Sequence, residues 1–108
     1  MDKRRVVFRI GVTYQTTLEQ LREMPKIIEN VIKNIKDTTF DRAHFFSYGD
    51  FSLIFEIVYY IVGSDYNKYM DIQQEINLAL KKELEKRSIE FAYPTQTLFI
   101  AKENSQSN

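Results

Sequence analysis

The sequence contains no cysteine, which excludes a disulfide framework and any thiolate-held metal. Long apolar runs are also missing. The longest, residues 57–62, is six residues, whereas a membrane-crossing helix needs about 20. The opening MDKRRVVF is basic, but Arg9 interrupts it before an apolar stretch long enough for a signal peptide can form. The chain therefore reads as soluble. Its three glycines, Gly11, Gly49 and Gly63, stand isolated, so no phosphate-cradling loop is present. Neither sign of charge is in excess: 15 basic residues face 15 acidic ones. No overall field recruits nucleic acid or anionic lipid.

What the 108 residues do hold is material for one domain, a size that buries roughly 60–70% of the surface exposed on unfolding. Its centre is residues 51–62, FSLIFEIVYYIV, rich in the β-branched and aromatic residues that suit strands. On a strand, Phe51, Leu53, Phe55, Ile57, Tyr59 and Ile61 share one face, and it is wholly apolar. The other face carries Ser52, Ile54, Glu56, Val58, Tyr60 and Val62, apolar at four of six positions. A half-exposed strand alternates more cleanly, so a central strand is expected, with helices on one side and another contact on the other.

Around it, residues 5–12 alternate as a first strand, with Val6, Phe8 and Ile10 facing the core. Thr16 and Glu19 have the spacing of a capping box. Leu18, Leu21, Met24, Ile28, Val31 and Ile35 follow at helical spacing, predicting a helix to about Lys36. Pro25 inside it predicts a kink or a restart. Residues 40–48 form a second strand, turned into the third by Gly49 and Asp50. Ser64 or Asp65 caps a second helix over residues 66–87, with Tyr69, Ile72, Ile76, Leu80 and Leu84 on its buried stripe. Ile89, Phe91 and Tyr93 alternate as a fourth strand that Pro94 stops. Residues 96–100 make a further extended run. The expected fold is α+β, a ferredoxin-like β-α-β-β-α-β sandwich with an extra C-terminal strand. Residues 5–93 form the domain, 94–101 the extra strand, and 102–108 a disordered polar tail.

Candidates for chemistry give way to plainer readings. Asp41, His44 and Ser47 have triad residue types, but their spacing on one strand sends His44 to the opposite face. With one histidine and no cysteine, His44 has only Asp41 or Asp50 as metal partners, a weak oxygen-rich set. The run Tyr48-Gly49-Asp50-Phe51 echoes an RNA-binding sheet signature, but Asp50 stands where a basic residue belongs. No catalytic residue, metal, cofactor or nucleic-acid partner is expected. The informative feature is the second face of the central strand. Ile54, Val58 and Tyr60, joined by Val7 and by Phe45 or Phe46, would form an apolar patch for a subunit or domain contact.

Three stretches carry a family resemblance: FRIGVTYQTTLEQL (residues 8–21) with Pro25 after it, FDRAHFFSYGDFSLIFEIVYYI (40–61), and INLALKKELEKRSIEFAYPTQTLFI (76–100). Together they resemble the C-terminal cytoplasmic αβ domain of the small-conductance mechanosensitive (MscS-like) channel family. Ser88 stands where that family often has a helix-ending glycine, and Phe51 where it usually has a small polar residue. The resemblance implies a homo-oligomer, a heptamer in the full channel, forming a cage below the pore that supports assembly and ion filtering during osmotic stress. It places the domain on the cytoplasmic side of the inner membrane, tied to it only by N-terminal regions not in this chain. It also implies that Pro94, Thr95, Gln96, Thr97, Leu98, Phe99 and Ile100 join symmetry mates in a small barrel. A rival from another class is a stand-alone ferredoxin-like regulatory module that binds a small metabolite.

Overall fold

The computed structural model describes residues 3–92. The elements are β1 (Lys3–Val12), α1 (Leu18–Lys33), β2 (Thr38–Tyr48), β3 (Leu53–Val62) and α2 (Tyr66–Lys86). The sheet order is β1-β3-β2, and β3 pairs antiparallel with both neighbours. β1 and β2 are therefore parallel to each other with β3 inserted between them, the split βαβ arrangement. β3 is central, as its apolar content demands. Leu53, Phe55, Ile57, Tyr59 and Ile61 are all buried against the helices. From α1 they meet Met24, Ile27, Ile28, Val31 and Ile32, and from α2 Ile72, Ile76, Leu80 and Leu84.

The expected fourth and fifth strands require correction. Among the described residues the sheet has three strands, and the last element is α2. The chain returns to β1 only at an isolated bridge, Val12 opposite Phe91. Two bonds flank it: the Thr13 N–H donates to the Glu90 carbonyl and the Ala92 N–H to that of Gly11, each at 3.0 Å. Within the described residues the returning segment thus contributes one bridge and not a strand. The proposed strand at residues 96–100 and the tail at 102–108 lie outside the described residues.

Local details shift as well. The N-cap of α1 is Thr17, not Thr16: its Oγ1 accepts from the Gln20 N–H at 3.2 Å, and Gln20 Oε1 accepts from the Thr17 N–H at 2.8 Å. Thr16 turns inward, and its buried hydroxyl has no partner among the described residues. Leu18 is 68% exposed and leaves the core stripe. α1 runs through Pro25 without a restart, because apolar residues on both sides of it dock on the sheet. It ends at Lys33 rather than Lys36. Thr38 Oγ1 sits 2.8 Å from both the Ile32 and Ile35 carbonyls and ties the end of the helix to the start of β2. Phe51 and Ser52 leave the strand for a loop closed by the Gly49 N–H donating to the Ser52 carbonyl at 2.7 Å.

α2 stops in a Schellman motif. Ile89 N–H donates to the Leu84 carbonyl at 2.9 Å and Ser88 N–H to that of Glu85 at 3.1 Å. Both apolar members, Leu84 and Ile89, are buried. Ser88 takes φ of 59° to do this, a left-handed conformation that strains any residue but glycine. Ser88→Gly is therefore expected to stabilise the fold by about 0.5–1 kcal/mol in urea denaturation; no change would show the strain already relieved.

Tyr59 is the largest fully buried side chain. Its hydroxyl donates to Gln73 Oε1 at 2.8 Å, and its ring meets Phe8 edge-on at 5.9 Å. Burial, with a smaller contribution from Tyr69, pushes its ionisation well above the usual tyrosine range. The folded state thus holds this proton more tightly than the unfolded chain. The resulting stability is present below the ordinary tyrosine pKa and is lost as pH rises through the folded value. Ultraviolet titration should show a late tyrosine phase that Tyr59→Phe removes; an unchanged profile would contradict this burial.

Candidate assembly surfaces

The helices cover one face of the sheet, and the other is assembled by strand register. Val7 of β1 lies opposite Val58 of β3, Arg9 opposite Glu56, and Gly11 opposite Ile54. From β2, Arg42 lies opposite Val58, His44 opposite Glu56 and Ser47 opposite Ile54. The expected apolar patch is therefore divided. A polar row, Arg9–Glu56–His44, crosses all three strands between Ile54 and Val58. Arg9 Nε and Nη2 both donate to Glu56 Oε2, at 3.2 and 3.0 Å, and the guanidinium lies 4.3 Å from the Phe46 ring centroid. Both contacts are partly solvated, and each contributes about 0.5–1 kcal/mol.

The three residues singled out on β3 have different fates. Val58 is only 1% exposed, sealed between its own neighbours. Ile54 and Tyr60 are half-buried. Tyr60 lies opposite the exposed Arg5, so that end of the face is basic as well as aromatic. Pro94, Thr95, Gln96, Thr97, Leu98, Phe99 and Ile100 lie outside the described residues.

Exposed aromatic side chains also lie near the turn from β2 into β3. Tyr48 is 76% exposed and Phe51 55%, and Tyr14 and Phe45 are exposed as well, while Phe46 is exposed on the outer face against Arg9. Phe45 stacks on the buried Phe55 at 5.3 Å and meets Tyr48 edge-on at 5.2 Å. Tyr14 reaches over to donate its hydroxyl to the Gly49 carbonyl. Sequence reading missed this cluster because β2 carries two register shifts, at Asp41 and Phe46. Each bulge inserts one residue and changes which side chains share a face. The same bulges twist the outer edge of β2 away from regular pairing. On the opposite edge, β1 runs ten residues without a register shift against β3.

The alternation expected to send His44 to the face opposite Ser47 is undone by the bulge at Phe46, which puts both on the outer face, opposite Glu56 and Ile54. Asp41 pairs with Arg42 at 3.2 Å and sits in the first bulge. Among the described residues, no group of three or more histidine, aspartate or glutamate side chains could hold a metal ion. No described helix is long and apolar enough to cross a membrane. Tyr66 and Tyr69 form a latch rather than a site. Arg4 lies over both rings, at 5.9 and 5.1 Å, and its Nη2 donates to the Ser64 carbonyl at 3.4 Å. This ties the start of β1 to the start of α2.

The described residues thus form a split βαβ unit with a mixed outer sheet face and exposed aromatic side chains near the turn from β2 into β3. The chain belongs to the MscS mechanosensitive ion channel C-terminal family, whose description matches residues 6–91. It is similar to the small-conductance mechanosensitive channel MscMJ of Methanocaldococcus jannaschii, 38% identical over 104 residues, covering 95% of this chain and 30% of that protein. The large-conductance mechanosensitive channel MscMJLR of the same organism is also 38% identical, over 109 residues, with the same shares covered. An uncharacterized MscS family protein of Aquifex aeolicus is 40% identical over 105 residues, 94% of this chain and 28% of that one. The chain thus spans less than a third of the length of these relatives.

Proposed function

We propose that this chain is the cytoplasmic C-terminal domain of a mechanosensitive channel, and that it acts by assembling with copies of itself into a cage below the pore. The observation that carries this reading is the family match across nearly the whole described domain, residues 6–91. Two similar proteins are named as mechanosensitive channels, and each is more than three times the aligned length. In this reading the membrane-crossing part belongs to the remaining length. Tension acts there, and the domain organises the ring and screens what reaches the pore. Seven copies would form the ring, with residues 94–101 contributing one strand each to a closed barrel; closure removes strand edges that would otherwise stay open. Ile54 and Tyr60 would meet a neighbouring copy, whereas Val58 acts within its own sheet.

Two measurements test this. In cell fractionation, an antibody to the domain should detect a membrane-bound band well above 12.9 kDa. A soluble band at that mass would replace the channel reading with a free-standing module. Light scattering should show the full chain heavier than a version ending at Ala92, while circular dichroism finds both folded. Equal masses would remove the barrel-strand role.

A further inference from the structure

Among the described residues β1 and β2 are the edges of the sheet, and they are finished differently. β2 carries two bulges, whereas β1 keeps one register against β3 over Lys3–Val12. The Gly11 carbonyl accepts from Ala92 and the Thr13 N–H donates to Glu90. Backbone direction alternates along a strand, so Arg5, Val7 and Arg9 also turn their N–H and C=O groups away from β3. Among the described residues, none of these three has an outward backbone partner. Their side chains stand exposed on the outer face. Arg9 shares Glu56, but Lys3 and Arg5 have no acidic partner among the described residues. On the inner side of the same strand, Phe8 and Ile10 are half-buried at the margin of the core. Arg4, held over Tyr66 and Tyr69, fixes the start of this edge in place.

We infer that the edge of β1 is a docking site for an extended acidic segment of another protein, which adds to the sheet as an antiparallel strand. The outward groups of Arg5, Val7 and Arg9 supply the main-chain bonds. Alternation in the incoming strand puts acidic side chains opposite Lys3, Arg5 and Arg9 on the outer face. Its other side chains, apolar, cover Phe8 and Ile10 on the inner face. A second copy of β1 does not fit. Antiparallel pairing centred on Val7 would set Arg5 of each copy against Arg9 of the other, and like charges directly opposite repel. The basic residues thus turn away the chain's own edge and select an acidic partner. One copy carries the whole site, so the inference stands apart from the cage reading.

Fluorescence anisotropy of the full chain with a fluorescein-labelled peptide, Glu-Val-Thr-Val-Glu-Val-Glu, tests this. Binding should be saturable and weaken about tenfold with Arg5→Glu. The same peptide with lysine in place of each glutamate should not bind. N-methylation of its threonine and second glutamate removes amide donors aimed at β1 and should abolish binding. Val7→Pro should do the same, because the N–H it removes points away from β3, with far-ultraviolet circular dichroism unchanged. If that variant loses its fold, the methylated peptide still decides. Absence of binding overturns the inference, the edge then being closed to partners. Binding that survives N-methylation also overturns it, by reducing the site to a basic patch without strand addition. Equal binding of the lysine peptide overturns the acidic specificity on which the choice of partner rests.

Discussion

Phe55→Ala is expected to destabilise the domain by about 3–5 kcal/mol, the range for removing a fully buried phenylalanine. Phe55 is 0% exposed at the centre of β3. It lies opposite Ile10 on one side and Phe45 on the other, and Phe45 stacks on its ring. Truncation thus leaves a cavity in the middle of the sheet and strips Phe45 of its support. A domain of this size loses about 4–8 °C of melting temperature per kcal/mol, so the midpoint should fall by roughly 12–40 °C. Leu18→Ala is the internal comparison. Leu18 matches the helical stripe in sequence but is exposed in the fold, and its change should stay within about 0.5 kcal/mol. Equal losses at the two sites in urea denaturation would refute the assigned core.

Pro25→Ala should move stability the other way, by about 1–3 kcal/mol. Pro25 lies inside α1 with intact helix on both sides. There it withholds the bond that residue 25 would donate to the Leu21 carbonyl, and its ring crowds that carbonyl. Alanine restores the donor and has the best helix propensity. The gain is less than the full host-peptide penalty, because proline also restricts the unfolded chain. A thermal melt lowered by this substitution would mean that Pro25 makes contacts, along the groove it shares with Lys26 and Phe40, that outweigh the lost helix bond.

Much of the architecture was legible from residue spacing. The buried face of β3 and the stripe of α2 follow from periods of two and 3.6, because burial of an apolar face is the dominant local signal. Asp65 as the cap of α2 was legible as one of two candidates, having a side-chain acceptor at the start of an apolar stripe. The cap of α1 was displaced by one residue. Thr16 and Thr17 offer the same chemistry, and only docking of Met24, Ile28 and Ile32 selects the rotation of the helix. The outer sheet face was only half legible. Ile54, Val58 and Tyr60 alternate together, but their exposure depends on what β1 and β2 place beside them. The Arg9–Glu56 pair and the bulges at Asp41 and Phe46 are set by pairing between strands distant in sequence.

By itself the sequence determined the α+β class, the central place of β3, the order of the first five elements and the family resemblance. These follow from periodicity and from residues close together in the chain. Only the tertiary structure decided that the sheet has three strands among the described residues, that Val58 is sealed within its own face, and that Tyr48 and Phe51 stand exposed near the turn from β2 into β3. The fourth strand shows why. Ile89 and Phe91 alternate as a strand should, but a strand exists only where a partner's carbonyls and N–H groups are in register. Here, among the described residues, two backbone bonds flank a single bridge, Val12 opposite Phe91. Alternation supplies a face to bury; pairing across the sheet decides whether a strand forms.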